Sequence, residues 1–578
     1  LKADSALNSI WLNANSASLV IDSVSLSGVS FNHANDTLTI FLNRTYPPGE
    51  MLDVGIYYRH KNVSDHGFYA YYGAVFTDSP PEGARKWLPC WDRPSDKALW
   101  ELTARVPLSA RLGSTGLLAD STISGDTISY HWKTNIPVST YLITLTSRLN
   151  WLVHKKYWHK LTNGGDSIPI VCYYRTGENM TIFDSIIGPV TTFYSRLFGD
   201  YPFEKIGFAT LNNAFPWGGM ENQTMVNLMT GGYNSESLIV HEHSHQWFGD
   251  LITCGTWADI WLNEGFATYC QNLWVEHSAG SEAYKNSMNG LANNYLSANR
   301  HWPLYKASWA RHTPNADSLY NVAITYNKGA CVLFQLRYVL GDSVFFRAMH
   351  EYATDTNLMY SNALTSDFTA KVNQAAGENI DWFFNEWVYA PDHPVYENTF
   401  GIDSLSSNSW KVTFITNQTQ ENTVFFKMPL ELLITFSDAT DTLIRVINDT
   451  NHQAYSFLFS KKPEDLTFDP SRNILLKQAS TIIAIKKTSG VTGFKLHQNS
   501  PNPFSNRTTI MYDVELPGNV IISVIDSKGK LWNCLVNRHH DPGFYRYELS
   551  DSEFVPGTYF VSMETGNYRE TKKMVVIK

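Results

Sequence analysis

The stretch His241-Glu242-His243-Ser244-His245 lies in a predicted helix that begins after Ser235, a residue suited to a helix N-cap, and ends before Gly249. Because His241 and His245 are four residues apart, both imidazoles project from one face of that helix, about one turn apart. Two neutral imidazoles at this spacing can hold one zinc ion. Glu242 is rotated by about 100° from His241, so it can reach a water molecule without being a ligand.

A catalytic zinc ion takes three protein ligands and keeps one position open. The segment Asp259–Ala267 is predicted to open a second helix, spanning about 258–276, and it contains Glu264. Eighteen residues separate His245 from Glu264, which is enough for a loop and an antiparallel return. The predicted metal ligands are therefore His241, His245 and Glu264, holding one Zn²⁺. The alternative is that the two histidines are ordinary helix residues.

Two further segments support the interpretation of the histidines as zinc ligands. One is Gly218-Gly219-Met220-Glu221-Asn222, just upstream of the predicted zinc helix, and the other is Tyr326-Asn327-Lys328-Gly329-Ala330. Together with W-L-N-E-G-F-A around Glu264, they resemble the M1 family of zinc aminopeptidases, which are gluzincins of the aminopeptidase N type. The resemblance covers roughly residues 1–475.

The resemblance implies a zinc-dependent hydrolase that removes N-terminal residues from peptides. In that interpretation Glu242 is the general base and the Tyr326 hydroxyl stabilises the tetrahedral intermediate. Glu221 pairs with the free α-ammonium of the substrate. Gly218, Gly219, Met220 and Asn222 form the rest of a substrate-binding edge strand, where glycines let a peptide backbone lie close. The alternative for this segment is a simple tight turn.

One position departs from the family pattern. The segment Arg85–Asp92 resembles the family's A-R-x-x-F-P-C-x-D, in which a Gln or Glu ten residues before the cysteine helps to bind the substrate amine. Here Pro80 occupies that position, counted from Cys90. Asp78 or Glu82 could replace the missing anchor, or both could be solvated loop acids. Two alternatives follow for function: a zinc hydrolase with relaxed N-terminal specificity, or a non-catalytic surface binding protein.

Composition restricts the remaining function classes. The chain has 578 residues, a formal net charge of -9, 14% aromatic residues and 17% charged residues. This predicts folded, aromatic-rich cores in several domains. No basic stripe is present, so we expect no nucleic-acid partner. No apolar run reaches about 18 residues, so we expect no membrane span.

The six cysteines form no C-x-x-C pair. We expect buried free thiols, and a single disulfide stays open as an alternative. The sequence begins at Leu1, inside an apparent β domain, so we expect the gene product to begin further upstream.

The order of predicted strands and helices indicates a multidomain protein. Residues 1–172 are predicted to form a β-rich domain, which the resemblance identifies as the family's saddle domain, truncated at its start. Residues 173–395 would be a thermolysin-like α+β catalytic domain. Residues 396–477 are predicted to form a small β-sandwich and residues 478–492 a linker.

Residues 493–578 contain Gln498-Asn499-Ser500-Pro501-Asn502-Pro503-Phe504 near their start and end with K-K-M-V-V-I-K. They resemble the Ig-like C-terminal sorting domain of the type IX secretion system. The alternative is a generic Ig-like accessory domain. The sorting interpretation implies the type IX secretion machinery as a partner and a secreted or cell-surface protein, exported across the bacterial outer membrane.

Overall fold

A computed structural model describes residues 1–162, 165–422, 424–485, 493–550 and 554–577. The chain divides into two compact units, Leu1–Ala390 and Pro391–Lys578. The first unit has a β-rich N-terminal part followed by a mainly helical part, and the second unit is β-rich.

The N-terminal part of the first unit is built from fourteen strands in five small sheets. Alternation of apolar and polar residues is the reason: in β12, for example, Ile128, Tyr130 and Trp132 are buried and their neighbours are not. The sheet orders are β1-β4-β3, β2-β5, β10-β14-β7-β6, β11-β12-β9 and β13-β8. The strands are β1 (Leu7–Asn13), β2 (Leu19–Val24), β3 (Ser30–Ala34), β4 (Thr37–Tyr46), β5 (Ile56–His60), β6 (Phe68–Tyr71), β7 (Ala74–Thr77), β8 (Lys97–Ala98), β9 (Glu101–Pro107), β10 (Ala110–Ser114), β11 (Leu117–Ser124), β12 (Thr127–Lys133), β13 (Val138–Ser139) and β14 (Leu145–Leu149).

The segment Pro137–Ile143 has the residue pattern of a strand, but this prediction is mostly wrong. Only β13 is extended, and a 3₁₀ turn follows at Thr140–Leu142. All three residues of that turn are buried, so packing rather than β propensity determines the local backbone.

A five-stranded sheet contains Gly219 and Met220 of the segment Gly218–Asn222. Its order is β15-β16-β17-β19-β18, with β16, β17 and β19 parallel and β15 and β18 antiparallel at the two edges. The strands are β15 (Leu152–His159), β16 (Ser167–Tyr174), β17 (Ile206–Thr210), β18 (Gly219–Met220) and β19 (Val226–Leu228). The boundary predicted at residue 172 falls inside β16, so β15 and β16 belong to this sheet rather than to the N-terminal sheets.

The helical part follows. Apolar residues recur at helical spacing between Ile182 and Leu197, which predicts a helix. It is present as α1 and ends at Gly199, whose φ of 93° suits glycine. A π-helix, Val322–Lys328, runs directly into α6, and two short strands, β20 (Ile252–Cys254) and β21 (Ser361–Ala363), pair in parallel. The helices are α1 (Thr181–Phe198), α2 (Glu236–Ser244), α3 (Trp261–Ala279), α4 (Ser281–Ala298), α5 (Ala316–Leu319), α6 (Gly329–Leu340), α7 (Asp342–Ala353), α8 (Thr365–Ala376) and α9 (Asp381–Trp387).

Within the described ranges, every helix is either too short or too polar to cross a membrane.

Aromatic side chains stabilise the packing of α2 against α3. Phe248, just after α2, lies 5.0 Å from Phe266 of α3 between ring centroids, and Trp247 and Trp261 are fully buried. Each such ring removes about 150–250 Å² from water on folding, worth about 4–6 kcal/mol. The two helices therefore form a stiff platform beneath the residues discussed below.

The second unit contains three sheets. Their orders are β26-β23-β22-β28-β33-β30-β29, β25-β24-β27 and β32-β31-β34-β35. The strands are β22 (Val395–Ser406), β23 (Ser409–Gln418), β24 (Met428–Phe436), β25 (Asp441–Asn448), β26 (Gln453–Phe459), β27 (Pro463–Phe468), β28 (Gln478–Ile485), β29 (Lys495–Leu496), β30 (Arg507–Val514), β31 (Gly518–Asp526), β32 (Leu531–His540), β33 (Gly543–Ser550), β34 (Gly557–Thr565) and β35 (Tyr568–Val576).

The structure has a strand where the sequence analysis predicts the first half of a linker. β28 pairs in parallel with β22 and in antiparallel fashion with β33, so one sheet runs through both predicted C-terminal domains. Ile482 of β28 also joins the apolar core formed with Leu496 and Phe504. The rest of the predicted linker, 486–492, lies outside the described residues.

The two ends of the C-terminal segment bind each other. Asn502 donates its side-chain N–H to the carbonyl of Lys573 (2.8 Å) and accepts the backbone N–H of Val575 (2.8 Å). The Phe504 N–H donates to the Val575 carbonyl (3.0 Å). The opening Q-N-S-P-N-P-F motif and the closing strand are therefore one structural feature.

The six cysteines all lie in described residues, and each is a free thiol. Five of them are buried and Cys534 is exposed.

Candidate metal centre and substrate cleft

The predicted zinc helix is α2, and its start matches the sequence signal. The Ser235 hydroxyl accepts the Leu238 N–H (3.4 Å) as an N-cap. The helix ends at Ser244 rather than at the predicted residue 248. His245 still has helical dihedrals (φ -57°, ψ -24°), so the i, i+4 geometry of the two histidines survives.

Three donor atoms converge at the end of α2. The Nε2 atoms of His241 and His245 are 3.3 Å apart. Glu264, in the first turn of α3, brings one carboxylate oxygen to 3.6 Å from the His241 Nε2 and 3.4 Å from the His245 Nε2. A tetrahedral zinc site with ligand distances of about 2.0–2.2 Å has edges of about 3.3–3.6 Å. The separations therefore fit a zinc ion, and these three residues could hold one.

Hydrogen bonding and charge orient these groups toward one point. His245 Nδ1 lies 3.0 Å from the Phe248 carbonyl and donates to it, so Nε2 is the ring nitrogen that faces Glu264, 3.4 Å from its carboxylate. Burial alone raises the pKa of Glu264, but the neighbouring imidazoles of His245 and His241 outweigh it and hold that pKa at about 2. Glu264 is therefore an ionised carboxylate, as a metal ligand must be.

Glu242 lies beside this triad and against the edge strand β18. It is buried, and burial raises its pKa well above the usual value, with a smaller opposing effect from His245. A Cβ atom on Gly219 would lie 2.3 Å from the Glu242 Oε1. Gly219 therefore leaves the space that the Glu242 carboxylate occupies.

Glu221 follows β18 and points into the same cluster. One oxygen each of Glu221 and Glu242 and one nitrogen of His245 all lie within 4.8 Å of one another. Glu221 is 6% exposed, and burial raises its pKa to about 7, against the lowering effect of His245. It lies outside the His241–His245–Glu264 triad, so a buried carboxylate is left beside the candidate metal ligands.

The rest of the glycine-rich segment divides into edge and interior residues. β18 is the edge strand of its sheet, as the sequence predicts, and pairs only with β19 among the described strands. Met220 is buried in the large apolar core. Asn222 donates to the Leu142 carbonyl (3.3 Å) and accepts from the Asn227 amide (2.8 Å), so its side chain serves the interior.

Gln246 is a functional-site residue that the sequence analysis missed. Its side-chain N–H groups donate to the Asp250 carboxylate (2.6 Å) and to the backbone carbonyl of Glu221 (3.3 Å). Its carbonyl accepts from the Tyr201 hydroxyl and the Thr224 N–H, both at 3.1 Å. Gln246 thus ties the zinc helix to the segment carrying Glu221. Its position directly after His245 is the one signal that could have revealed it.

Tyr326 lies in the π-helix, an element frequent at functional sites. Its ring lies nearly parallel to the His241 imidazole, at 6.0 Å and 19°. Burial, reinforced by the charge of Glu264, raises the pKa of Tyr326 well above its usual value, so the hydroxyl stays a proton donor. Gly329 and Gly265 set its position, because a Cβ on Gly329 would lie 2.8 Å from the Gly265 Cα.

Two other polar residues near Glu264, the acid Asp259 and the amide Asn263, form hydrogen bonds between neighbouring segments of the fold. Asp259 accepts the backbone N–H and hydroxyl of Thr365, each at 2.8 Å, at the start of α8. Asn263 accepts the Cys254 N–H (3.1 Å) and donates to the Tyr141 hydroxyl (3.0 Å).

Three family models match the chain. Residues 1–142 match the peptidase M1 N-terminal domain, and residues 183–387 match the peptidase family M1 domain. Residues 500–578 match the secretion system C-terminal sorting domain.

The curated relatives include aminopeptidases of a plant and a yeast. Aminopeptidase M1-A of Oryza sativa subsp. japonica is 26% identical over 62% of this chain and 43% of its own length. Aminopeptidase 2 of Candida albicans is 25% identical over 70% of this chain and 45% of its own length. The chain therefore spans less than half the length of these relatives.

Solved structures agree with the family models. The M1 zinc metallopeptidase of Deinococcus radiodurans has a TM-score of 0.58 and 25% identity, covering 67% of this chain and 87% of that one. A mutant of it bound to a Tyr-Ser-Ala substrate has a TM-score of 0.57 and 26% identity, covering 67% and 88%. Legionella pneumophila aminopeptidase A shares the fold, with a TM-score of 0.65 and 16% identity over 84% of this chain and 56% of that one.

The similar Deinococcus radiodurans protein is described as a zinc metallopeptidase, and the donor set at the end of α2 fits a zinc ion. From the matched models, the similar structures and this donor geometry, we conclude that the chain belongs to peptidase family M1 and carries a C-terminal secretion sorting domain.

Proposed function

We propose that this protein is a zinc-dependent aminopeptidase that removes single residues from the N-termini of peptides. The observation that carries the proposal is the position of Glu221. Its carboxylate lies within 4.8 Å of Glu242 and His245 but outside the candidate metal triad. A buried carboxylate so close to the reacting groups suits the recognition of a cation.

The distance argues for an exopeptidase. In an N-terminal residue the α-nitrogen and the scissile carbonyl carbon are about 2.5 Å apart, from standard backbone dimensions. A charge-assisted hydrogen bond to the ammonium adds about 2.8 Å. A carboxylate that binds the ammonium must therefore lie within about 5 Å of the reacting carbon. Glu221 satisfies this requirement if the carbonyl lies beside Glu242.

The chain's own residues divide the chemistry. In this proposal His241, His245 and Glu264 hold the zinc ion. A zinc ion at such a site acts as a Lewis acid and makes water a better nucleophile at neutral pH. Glu242 takes the proton of the attacking water as general base and returns it to the leaving amine. The Tyr326 hydroxyl donates to the oxygen that gains negative charge.

Backbone pairing would align the peptide. β18 is an edge strand with glycines at its start, and Gly218 and Gly219 present no side chain to a neighbouring backbone. An extended peptide can add itself to such an edge. The proposal is that Gly218–Asn222 binds the substrate main chain while Glu221 binds its terminus.

The test compares a leucyl fluorogenic amide with its N-acetylated twin, each with and without a zinc chelator. We expect chelator-sensitive cleavage of the free-amine substrate alone. The matched variant Glu221→Gln keeps the shape of the side chain and should lose most of this discrimination. Stoichiometric zinc without cleavage of any aminoacyl amide would contradict the proposal and favour a surface binding protein.

A hydrolase with relaxed N-terminal specificity is the second candidate, because Pro80 replaces one family amine anchor. It predicts equal cleavage of the free and acetylated substrates, and little effect of Glu221→Gln.

We propose further that the type IX secretion machinery exports the protein to the cell surface or medium. The matched sorting domain supports this. Deletion of residues 500–578 should retain the protein inside a host that has this secretion system, whereas unchanged export would contradict it. The finer division into a saddle domain, a thermolysin-like domain, a small sandwich and an Ig-like sandwich is part of the same proposal.

A further inference from the structure

The loop before Cys90 contains two acids, Asp78 and Glu82, and their surroundings in the structure differ. Pro80 cannot bind an ammonium through its side chain, and Asp78 and Glu82 flank it. A replacement anchor needs a carboxylate oxygen that the protein itself leaves free, close to Glu221.

Glu82 is fully engaged. Its carboxylate accepts hydrogen bonds from Arg85, Arg93 (2.7 Å), Trp257 (3.3 Å) and the Thr313 hydroxyl. Two of these donors are guanidinium groups, so the charge of Glu82 is already compensated. Glu82 therefore connects loops of the fold and has no free oxygen to offer a substrate.

Asp78 is the opposite case. It is 5% exposed, and its Oδ2 accepts the indole N–H of Trp217 at 3.0 Å. Its Oδ1 is buried, and no donor among the described residues reaches it. The nearby cation Lys86 donates instead to the Asp65 carbonyl (2.6 Å). A buried carboxylate oxygen without a protein donor can accept a hydrogen bond from a bound ligand.

Asp78 also acts on the same cluster as Glu221. Trp217, which holds it, directly precedes Gly218 and the edge strand. The charges of Asp78 and Glu221 are close enough to interact, and both act on the Tyr320 hydroxyl. Two buried carboxylates in mutual range are a place where an external cation is favoured.

We propose that Asp78 is the second carboxylate that binds the substrate's α-ammonium, in place of the anchor lost at Pro80. An ammonium has three donors, and Glu221 and the Oδ1 of Asp78 would accept two of them. Trp217 acts as a positioning residue that fixes the Asp78 carboxylate. This inference rests on the proposed aminopeptidase function, and it makes the free amine a requirement for binding.

The test measures binding apart from catalysis. L-leucinol carries the amine and cannot be cleaved, and 4-methylpentan-1-ol lacks the amine. Their affinities for the zinc-loaded full chain are measured by calorimetry for wild type, Asp78→Asn and the control Glu82→Gln. Asp78→Asn keeps the shape and can still accept the Trp217 N–H.

We expect Asp78→Asn to weaken L-leucinol binding at least fivefold and to raise KM for a leucyl amide by a similar factor, with the zinc content unchanged. Affinity for 4-methylpentan-1-ol should not fall. A loss smaller than fivefold in a folded Asp78→Asn protein, or an equal loss in folded Glu82→Gln, would overturn the assignment. Circular dichroism reports folding for both variants.

Failure of this inference differs from failure of the proposed function. If wild type cleaves aminoacyl amides but Asp78→Asn keeps its L-leucinol affinity, Asp78 is not an anchor and the aminopeptidase stands. If L-leucinol binding depends on Asp78 but no aminoacyl amide is cleaved, the anchor stands and the proposed hydrolysis fails.

Discussion

Replacing Gly219 by alanine should disable Glu242, the proposed general base, while leaving the candidate metal ligands in place. The added Cβ would lie 2.3 Å from Oε1, 2.5 Å from Cδ and 2.6 Å from Cγ of Glu242. Ordinary carbon–oxygen contacts are about 3.3–3.6 Å, so the carboxylate must recede by about 1 Å. Gly219 does not need a positive φ, so the backbone itself accepts alanine.

The magnitude follows from that displacement. A misplacement of about 1 Å costs about 10²-fold in rate, equivalent to about 2.7 kcal/mol in the activation barrier. The obstructed atoms belong to the outer part of a side chain, so rotation of Glu242 can relieve the clash. We therefore expect a large loss of kcat and only a small loss of thermal stability.

The assay measures kcat, KM and zinc content for Gly219→Ala and its neighbour Gly218→Ala. A Cβ on Gly218 meets only the Leu238 Cδ1, at an ordinary 3.4 Å, so that variant should lose much less activity. Full activity in Gly219→Ala, or equal losses in both variants, would refute the reasoning. Loss of zinc from Gly219→Ala would also refute it, because the clash does not involve a ligand.

Three further predictions concern single residues. Tyr326→Phe should lower kcat about 10²- to 10³-fold with little change in KM or zinc content, because one donor to the developing charge is lost; unchanged kcat would exclude that role. Asp78→Asn should stabilise the metal-free protein, since burial raises the pKa of Asp78 from 3.8 to about 6. The folded state then holds that proton more tightly than the unfolded chain, so ionised Asp78 costs about 3 kcal/mol above pH 6 and nothing below about pH 4. Thermal unfolding at pH 8 should show a gain of about 4 °C that vanishes at pH 4, for a unit of about 390 residues, and a destabilised variant at pH 8 would contradict this. Gly329→Ala should lower stability by about 1–3 kcal/mol by pushing α6 from Gly265, whereas Gly290→Ala, with open space around it, should not destabilise; equal melting temperatures of the two variants would be the contrary result.

Local sequence determined the zinc helix. A serine cap and the i, i+4 spacing of His241 and His245 act within one or two turns, so they could be read without tertiary contacts. The helix that ends at Gly199 was predictable for the same reason. The edge position of Gly219 was also predictable, because glycines beside an acid suit a strand that leaves one side open.

Predictions failed where packing overrides local preference. Thr140–Leu142 forms a buried 3₁₀ turn despite its strand-like residues. Residues 478–485 form β28, which pairs with β22 on one side and β33 on the other. No local sequence pattern indicates these partners, which lie about 80 residues upstream and 60 residues downstream. Such pairings depend on contacts between distant residues, which no local pattern encodes.

The sequence by itself therefore determined which residues the proposed chemistry uses: two histidines and a glutamate for a metal, Glu242 beside them, and Glu221 directly after an edge strand. Only the tertiary structure decided how close they come, because the 3.4 Å approach of Glu264 to His245 depends on the packing of α2 against α3. It also decided between Asp78 and Glu82. The two acids are four residues apart and chemically alike, and only their folded surroundings leave one with a free oxygen and the other with four donors.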